Sequence, residues 1–198
     1  PSLQYHFSKN FSIEAGVHLL KYSGLKDYTT VAPVYTASYH KKDFVLLMGT
    51  LSGTIHHKLS EPMYFFENYF TDNQENGIQV IWNKNRFNLD VWLDWRSFIF
   101  VDDDKQEALT AGISSEIYAL KSDSWSVTVP VSLLVTHRGG QIDTSSAHLR
   151  TPMNYSLGLR ANKKLAYRLI DQTEFEVLGI GFYDNSPFIE SIHKKGYG

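Results

Sequence analysis

Arg86-Phe87-Asn88-Leu89-Asp90-Val91-Trp92-Leu93-Asp94-Trp95-Arg96-Ser97-Phe98-Ile99-Phe100 is the stretch that decides the fold. Taken at every second residue, Phe87, Leu89, Val91, Leu93 and Trp95 are all apolar, whereas four of the six alternating with them (Arg86, Asn88, Asp90, Trp92, Asp94 and Arg96) are charged. Successive side chains of an extended strand point to opposite faces, so a period of two over this length predicts one long strand with an apolar side and an ionic side. A helix would scatter the same residues around its axis. The fold then turns on which of the two sides meets water.

The same alternation recurs outward from this strand in both directions. Residues 77–82 pair with it across Asn83-Lys84-Asn85-Arg86. Four more hairpins are expected: 3–7 with 11–19, 33–39 with 44–51, 109–120 with 125–136, and 153–161 with 165–182. That makes ten strands, with lysine-bearing tight turns near residues 9, 42, 84, 122 and 163. Pro130 has no N–H to give a ladder, so its strand is expected to lie at an edge, carry a bulge or pair weakly there. The connections between hairpins are mostly longer. The longest, residues 52–76, carries His56, His57, Pro62 and the aromatic run Tyr64-Phe65-Phe66. A loop of that length is usually functional or disordered, and it is expected to constrict or cap a pore.

Composition narrows the class. A net charge of −2 on 198 residues provides no basic field for nucleic acid. The absence of cysteine rules out a disulfide framework and thiolate metal sites. Aromatics reach 14%, which suits strands and interfaces. No apolar run approaches the roughly 18 residues of a membrane-spanning helix, although membrane strands leave no such run. The chain does not begin with Met and reads as a mature or trimmed product.

An amphipathic strand suits either a soluble barrel with its apolar face inside or a membrane barrel with that face outside. Three features favour the membrane. Several strands reach the roughly 9–11 residues that cross a bilayer at a tilt. Tight and long connections alternate. Aromatics flank the tight turns, as in Phe7 and Phe11, Tyr39 and Phe44, Trp82 and Phe87, and Trp125, which reads as an interfacial girdle.

With its hairpins and the segments Glu75-Asn76-Gly77-Ile78-Gln79, Asp90-Val91-Trp92-Leu93-Asp94-Trp95 and His137-Arg138-Gly139-Gly140-Gln141, the chain resembles bacterial outer-membrane porin-like β-barrels. The resemblance implies an all-β, antiparallel up-and-down transmembrane barrel in the bacterial outer membrane. It implies a channel for small hydrophilic solutes, without enzymatic activity, catalytic residues, metal or cofactor. The lipid bilayer is the expected partner, with other outer-membrane proteins or further copies of the chain, and no nucleic acid. The polar faces then line the lumen, at Glu14, His18, Gln79, Arg86, Asn88, Asp90, Asp94, Arg96, Glu116, Arg160 and Arg168. One departure is the end, Lys194-Lys195-Gly196-Tyr197-Gly198, where such barrels often close on a strand with a terminal aromatic.

Other candidate chemistry is weaker. His56 and His57 point to opposite sides of an extended chain, and a solvated loop pair explains them better than a metal site. Asp143, Ser145, Ser146 and His148 share a loop but lack a nucleophile-elbow motif, so polar loop composition is the simpler reading. Gly139-Gly140 precedes no helix that could bind a phosphate. The alternatives to a channel are a soluble β-barrel or sandwich binding a small ligand such as a sugar and, third, a membrane-embedded hydrolase. The single barrel domain, 1–198, is expected to be a segment of a larger one. If tight turns are periplasmic, an even-stranded barrel needs a strand before Pro1 and one after Gly198, a minimum of about twelve.

Overall fold

The computed structural model describes residues 1–51, 57–64, 67–71, 74–140, 142–165, 170–187 and 194–198. Eleven strands form one antiparallel sheet in chain order: β1 (Ser2–His6), β2 (Phe11–Leu20), β3 (Thr30–Lys41), β4 (Phe44–Thr50), β5 (Asn76–Lys84), β6 (Phe87–Ser97), β7 (Ala108–Lys121), β8 (Trp125–Arg138), β9 (Pro152–Lys164), β10 (Gln172–Asp184) and β11 (Lys195–Tyr197). This is the all-β, up-and-down fold of the barrel-like class. The sheet is not closed: among the described residues β1 and β11 do not pair with each other. Outside the strands, the described residues hold one 3-10 turn (Glu61–Met63) and one short helix, α1 (Asn68–Thr71), both between β4 and β5. No described helix is long and apolar enough to cross a membrane.

Register follows the alternation. In β5–β6, Gln79 faces Trp92, Val80 faces Val91 and Trp82 faces Leu89, so polar pairs share one side and apolar pairs the other. β6 ends at Ser97 rather than continuing to Phe100, because the pairing with β7 shifts between Trp95 and Ser97. β10 begins at Gln172, not at Leu165, whose N–H instead bonds to the Asp171 carbonyl. Residues 166–169, including Arg168, lie outside the described residues. The eleventh strand was not legible, being three residues long and flanked by lysine and glycine. Pro130 interrupts the β8–β9 ladder: pairing runs to Thr128–Arg160 and resumes at Val131–Leu157.

Burial separates the faces in the opposite sense to a soluble sandwich. Ser12, Thr36, Ser38, Gln79, Asp94, Ser114, Thr128, Ser132 and Ser156 are buried, whereas Leu157, Leu159, Phe175 and Val177 are more than half exposed. The polar side is the inner face and the apolar side the outer one. At the tight-turn end, Lys84 lies 4.9 Å over the Trp82 ring, Lys121 4.6 Å over Tyr118 and Lys163 5.0 Å over Trp125. Their ammonium groups fold onto aromatic faces that suit a membrane interface.

Candidate active site

The buried residues of the inner face are mostly small and hydroxylic, but they include a large ring. Trp92 projects there from the middle of β6 and is 3% exposed. Its room comes from Gly112, directly opposite on β7, where a Cβ would collide with the indole. The connection between β4 and β5 packs onto this ring. Leu59 and Met63 bury themselves against Trp92, with Leu51, Tyr64, Leu134 and Ile180 around them. An apolar island thus forms inside a polar face, held by hydrophobic burial.

His57 fixes the connection to the sheet. Its ring stacks on Trp92, with centroids 3.7 Å apart and planes 4° from parallel. Nε2 lies 2.7 Å from Glu75 Oε2 and Nδ1 lies 2.9 Å from Asp90 Oδ2. The Gln79 amide donates to both Asp90 oxygens, at 2.9 and 3.0 Å. Burial disfavours the charged imidazole, but the hydrogen bonds and charges of Asp90 and Glu75 outweigh it and raise the His57 pKa to about 9. His57 is therefore an imidazolium at neutral pH that gives one N–H to each carboxylate. In that state it is a clasp, not a base, because neither nitrogen has a free lone pair. His57 and Lys58 hold positive φ, 45° and 57°, a strained conformation that the clasp and the packing maintain.

Beside the clasp lies a cavity of about 270 Å³. Leu59, Met63, Trp92 and Leu134 give it apolar lining, and Glu75 and His57 line it as well. Thr110, Thr136 and Asn154 offer hydroxyl and amide groups, and Arg96 and Arg138 supply cations. Asp94, 2% exposed, accepts the Asn76 N–H at 2.8 Å and lies 3.3 Å from Arg96 Nε. Among the described residues no three His, Cys, Asp or Glu side chains are arranged to hold a metal ion.

The candidates read from the sequence divide into four groups. Gln79, Asp90, Asp94 and Arg96 gather around the clasp and cavity. Glu116 and Arg160 form a second ionic cluster: Arg160 reaches Glu116 at 2.8 Å and Glu176 at 2.9 Å, while Asn88 lies 3.2 Å and Lys58 3.4 Å from Glu116. Glu14 and His18 are half-buried on the side of β2 that holds Ser12. Arg86 stands apart, exposed in the β5–β6 turn. The expectation of a solvated histidine pair fails for His57, which is 3% exposed because two carboxylates and an indole enclose it; His56 lies outside the described residues. So do Phe65 and Phe66 of the aromatic run, whose Tyr64 packs on the island. In the Asp143–His148 loop, Asp143 Oδ1 and Ser145 Oγ accept backbone N–H groups of Ser145 and Ala147, which are turn contacts. Sequence reasoning missed His57 and Glu75. One signal was available: Trp92, a large apolar ring in an otherwise ionic row, implies that something apolar must cover it.

A family model described as lipid A 3′-O-deacylase-type matches residues 1–198. No curated protein and no solved structure matches the chain. The family description denotes an ester-cleaving enzyme, and it overturns the porin-like reading, with its channel and transport function and the expectation that the chain is not an enzyme. The soluble ligand-binding alternative finds no support either.

Proposed function

The chain belongs to the lipid A 3′-O-deacylase-type family, and from that premise we propose that it is an outer-membrane hydrolase that removes the ester-linked acyl chain from the 3′ position of lipid A. The observation that carries this reading onto the structure is the composition of one cavity. It joins apolar lining (Leu59, Met63, Trp92, Leu134), polar donors (Thr110, Thr136, Asn154) and an acid–imidazolium pair (Glu75, His57). An acyl ester on a polar sugar needs these three surfaces: a place for the hydrocarbon, a place for the carbonyl oxygen and a group that activates water.

In the proposed reaction the Glu75 carboxylate takes a proton from a water as its oxygen attacks the ester carbonyl carbon. The tetrahedral oxyanion is met by the Thr110, Thr136 and Asn154 donors and by the positive field of His57. The carbon–oxygen bond to the sugar then breaks, and the alkoxide takes the proton back from Glu75, leaving a free fatty acid and a 3′-hydroxyl. Asp90 and Gln79 position His57, and His57 positions Glu75. The β4–β5 connection caps the interior from the long-loop end, and Glu14, His18, Asp94, Glu116 and Arg160 line that interior.

The test is direct. Full-length protein in detergent is mixed with lipid A, and the products are read by mass spectrometry. The expected result is release of one fatty acid per lipid A and a matching mass loss from the 3′ side. Intact lipid A, with the protein folded and heat-modifiable on gels, would contradict the reading.

A further inference from the structure

We propose that Arg138 and Arg150 form, with Arg96, a binding site for a phosphate monoester at the mouth of this cavity. The inference rests on the hydrolase reading of the same cavity. Arg138 and Arg150 are joined by an isolated antiparallel bridge, in which each N–H bonds to the other's carbonyl at 2.8 Å. Directly opposed residues of such a pair send their side chains to the same side. Like charges placed there repel; both side chains are exposed, so water screens the repulsion without removing it, and an anion lying between them is favoured. Arg138 lines the cavity, as does Arg96 from β6, so this is the cavity side.

The nearby carboxylates neutralise the three arginines only in part. Asp94 holds Asn76 and Arg96. Glu75 Oε2 accepts from His57. Asp184 accepts both the N–H and the hydroxyl of Ser186 on Oδ1 and offsets part of the charge of Arg150, leaving Arg138 without that carboxylate. Geometry decides between anions. A guanidinium presents parallel N–H groups that engage two oxygens at once. A fatty acid carboxylate has two oxygens and one negative charge, which a single arginine satisfies. A phosphate monoester has three terminal oxygens and up to two charges, which suits two or three arginines. Such a group would hold the polar end of the substrate while its acyl ester lies beside Glu75.

The experiment uses the full chain in detergent with two lipid A preparations, phosphorylated and enzymatically dephosphorylated. Binding is followed by calorimetry on proteins that also carry Glu75→Gln, so that the lipid is not turned over, and KM and kcat are measured for acyl release with Glu75 present. Wild type is expected to bind the phosphorylated lipid at least about tenfold more tightly. The double variant Arg138→Gln, Arg150→Gln should lose that preference, with KM raised on the phosphorylated lipid alone and kcat held within about twofold. Arg150→Lys, which keeps the charge and removes the fork, should fall between the two and guards against misfolding of the double variant. Inorganic phosphate, titrated alone, separates the sources: binding as tight as that of the lipid assigns the site to the free anion, weaker binding to the headgroup. Equal binding of the two lipids by wild type, or an equal loss on both in the variants, would overturn the site. Absence of acyl release with the phosphate preference intact would instead count against the hydrolase reading alone.

Discussion

Two ionic clusters share the inner face, and they are built on opposite plans. In one, a single imidazolium lies between two carboxylates, Glu75 and Asp90, and belongs to a connection rather than a strand. In the other, a guanidinium on β9 reaches Glu116 on β7 and Glu176 on β10, bridging strands already joined through the ladder. The first cluster is buried and depends on a proton. The second is half-exposed and holds a permanent charge. Strand-to-strand contacts are secured by backbone pairing whatever the side chains do, whereas among the described residues the β4–β5 connection is held by its apolar residues, this clasp and a few exposed polar contacts such as Lys58–Glu116 and Tyr22–Phe70. The difference suggests that the His57 cluster shapes the site and the Arg160 cluster trims the interior.

Removing the central cation should break this comparison most visibly. His57→Ala leaves Glu75 and Asp90 buried without their counter-charge and also strips the stack from Trp92. A loss of about 3–5 kcal/mol is expected for docking of the connection, read as faster proteolysis between β4 and β5 while the strands stay protected. Unchanged protection would mean that Leu59 and Met63 hold the connection by themselves.

Next in size is the pH response. The folded His57 pKa is raised to about 9 above an ordinary value of about 6.5. Its contribution is therefore fully present below about 6.5 and is lost as pH rises through 9. Up to about 3 kcal/mol should disappear over that window. The protection factors of the non-proline amides 57–64, corrected for the intrinsic base-catalysed rise in exchange, are expected to fall there, and His57→Gln should abolish the fall. A flat profile in wild type would show that the ring is not charged.

The smallest effect belongs to the other cluster. Arg160→Met should cost about 1–2 kcal/mol, since its partners are partly solvated and Lys58 still faces Glu116. Thermal melting of the barrel in detergent measures this, with no new dependence on pH between 6 and 9. A loss as large as that of His57→Ala would erase the distinction between the clusters.

How much of this could be read from the chain follows the same divide. Strand order and faces are local, written in alternations such as Phe87-Asn88-Leu89-Asp90, and they persist in the structure, whereas the end of β6, the start of β10 and the short β11 differ from what the alternation predicts. Pro130 weakened a ladder where its missing N–H requires it. Gln79, Asp90, Asp94 and Arg96 were visible as polar residues of the inner face. The clasp was not, because it joins His57 to Asp90 across 33 positions through a connection with no period of its own. A histidine in a polar loop looks solvated until the loop is placed over Trp92. Nor does alternation distinguish a channel from an enzyme, since both put polar residues inside; the family match made that distinction.

The most direct measurement compares one acid from each cluster. Initial rates of fatty acid release from lipid A are recorded for wild type, Glu75→Gln and Glu116→Gln in the same detergent. Loss of a general base predicts a fall of about 10²–10⁴ for Glu75→Gln, with Glu116→Gln retaining most of the wild-type rate. Full activity of Glu75→Gln, or an equal loss in both variants, would contradict a hydrolase whose water is activated beside the His57 clasp.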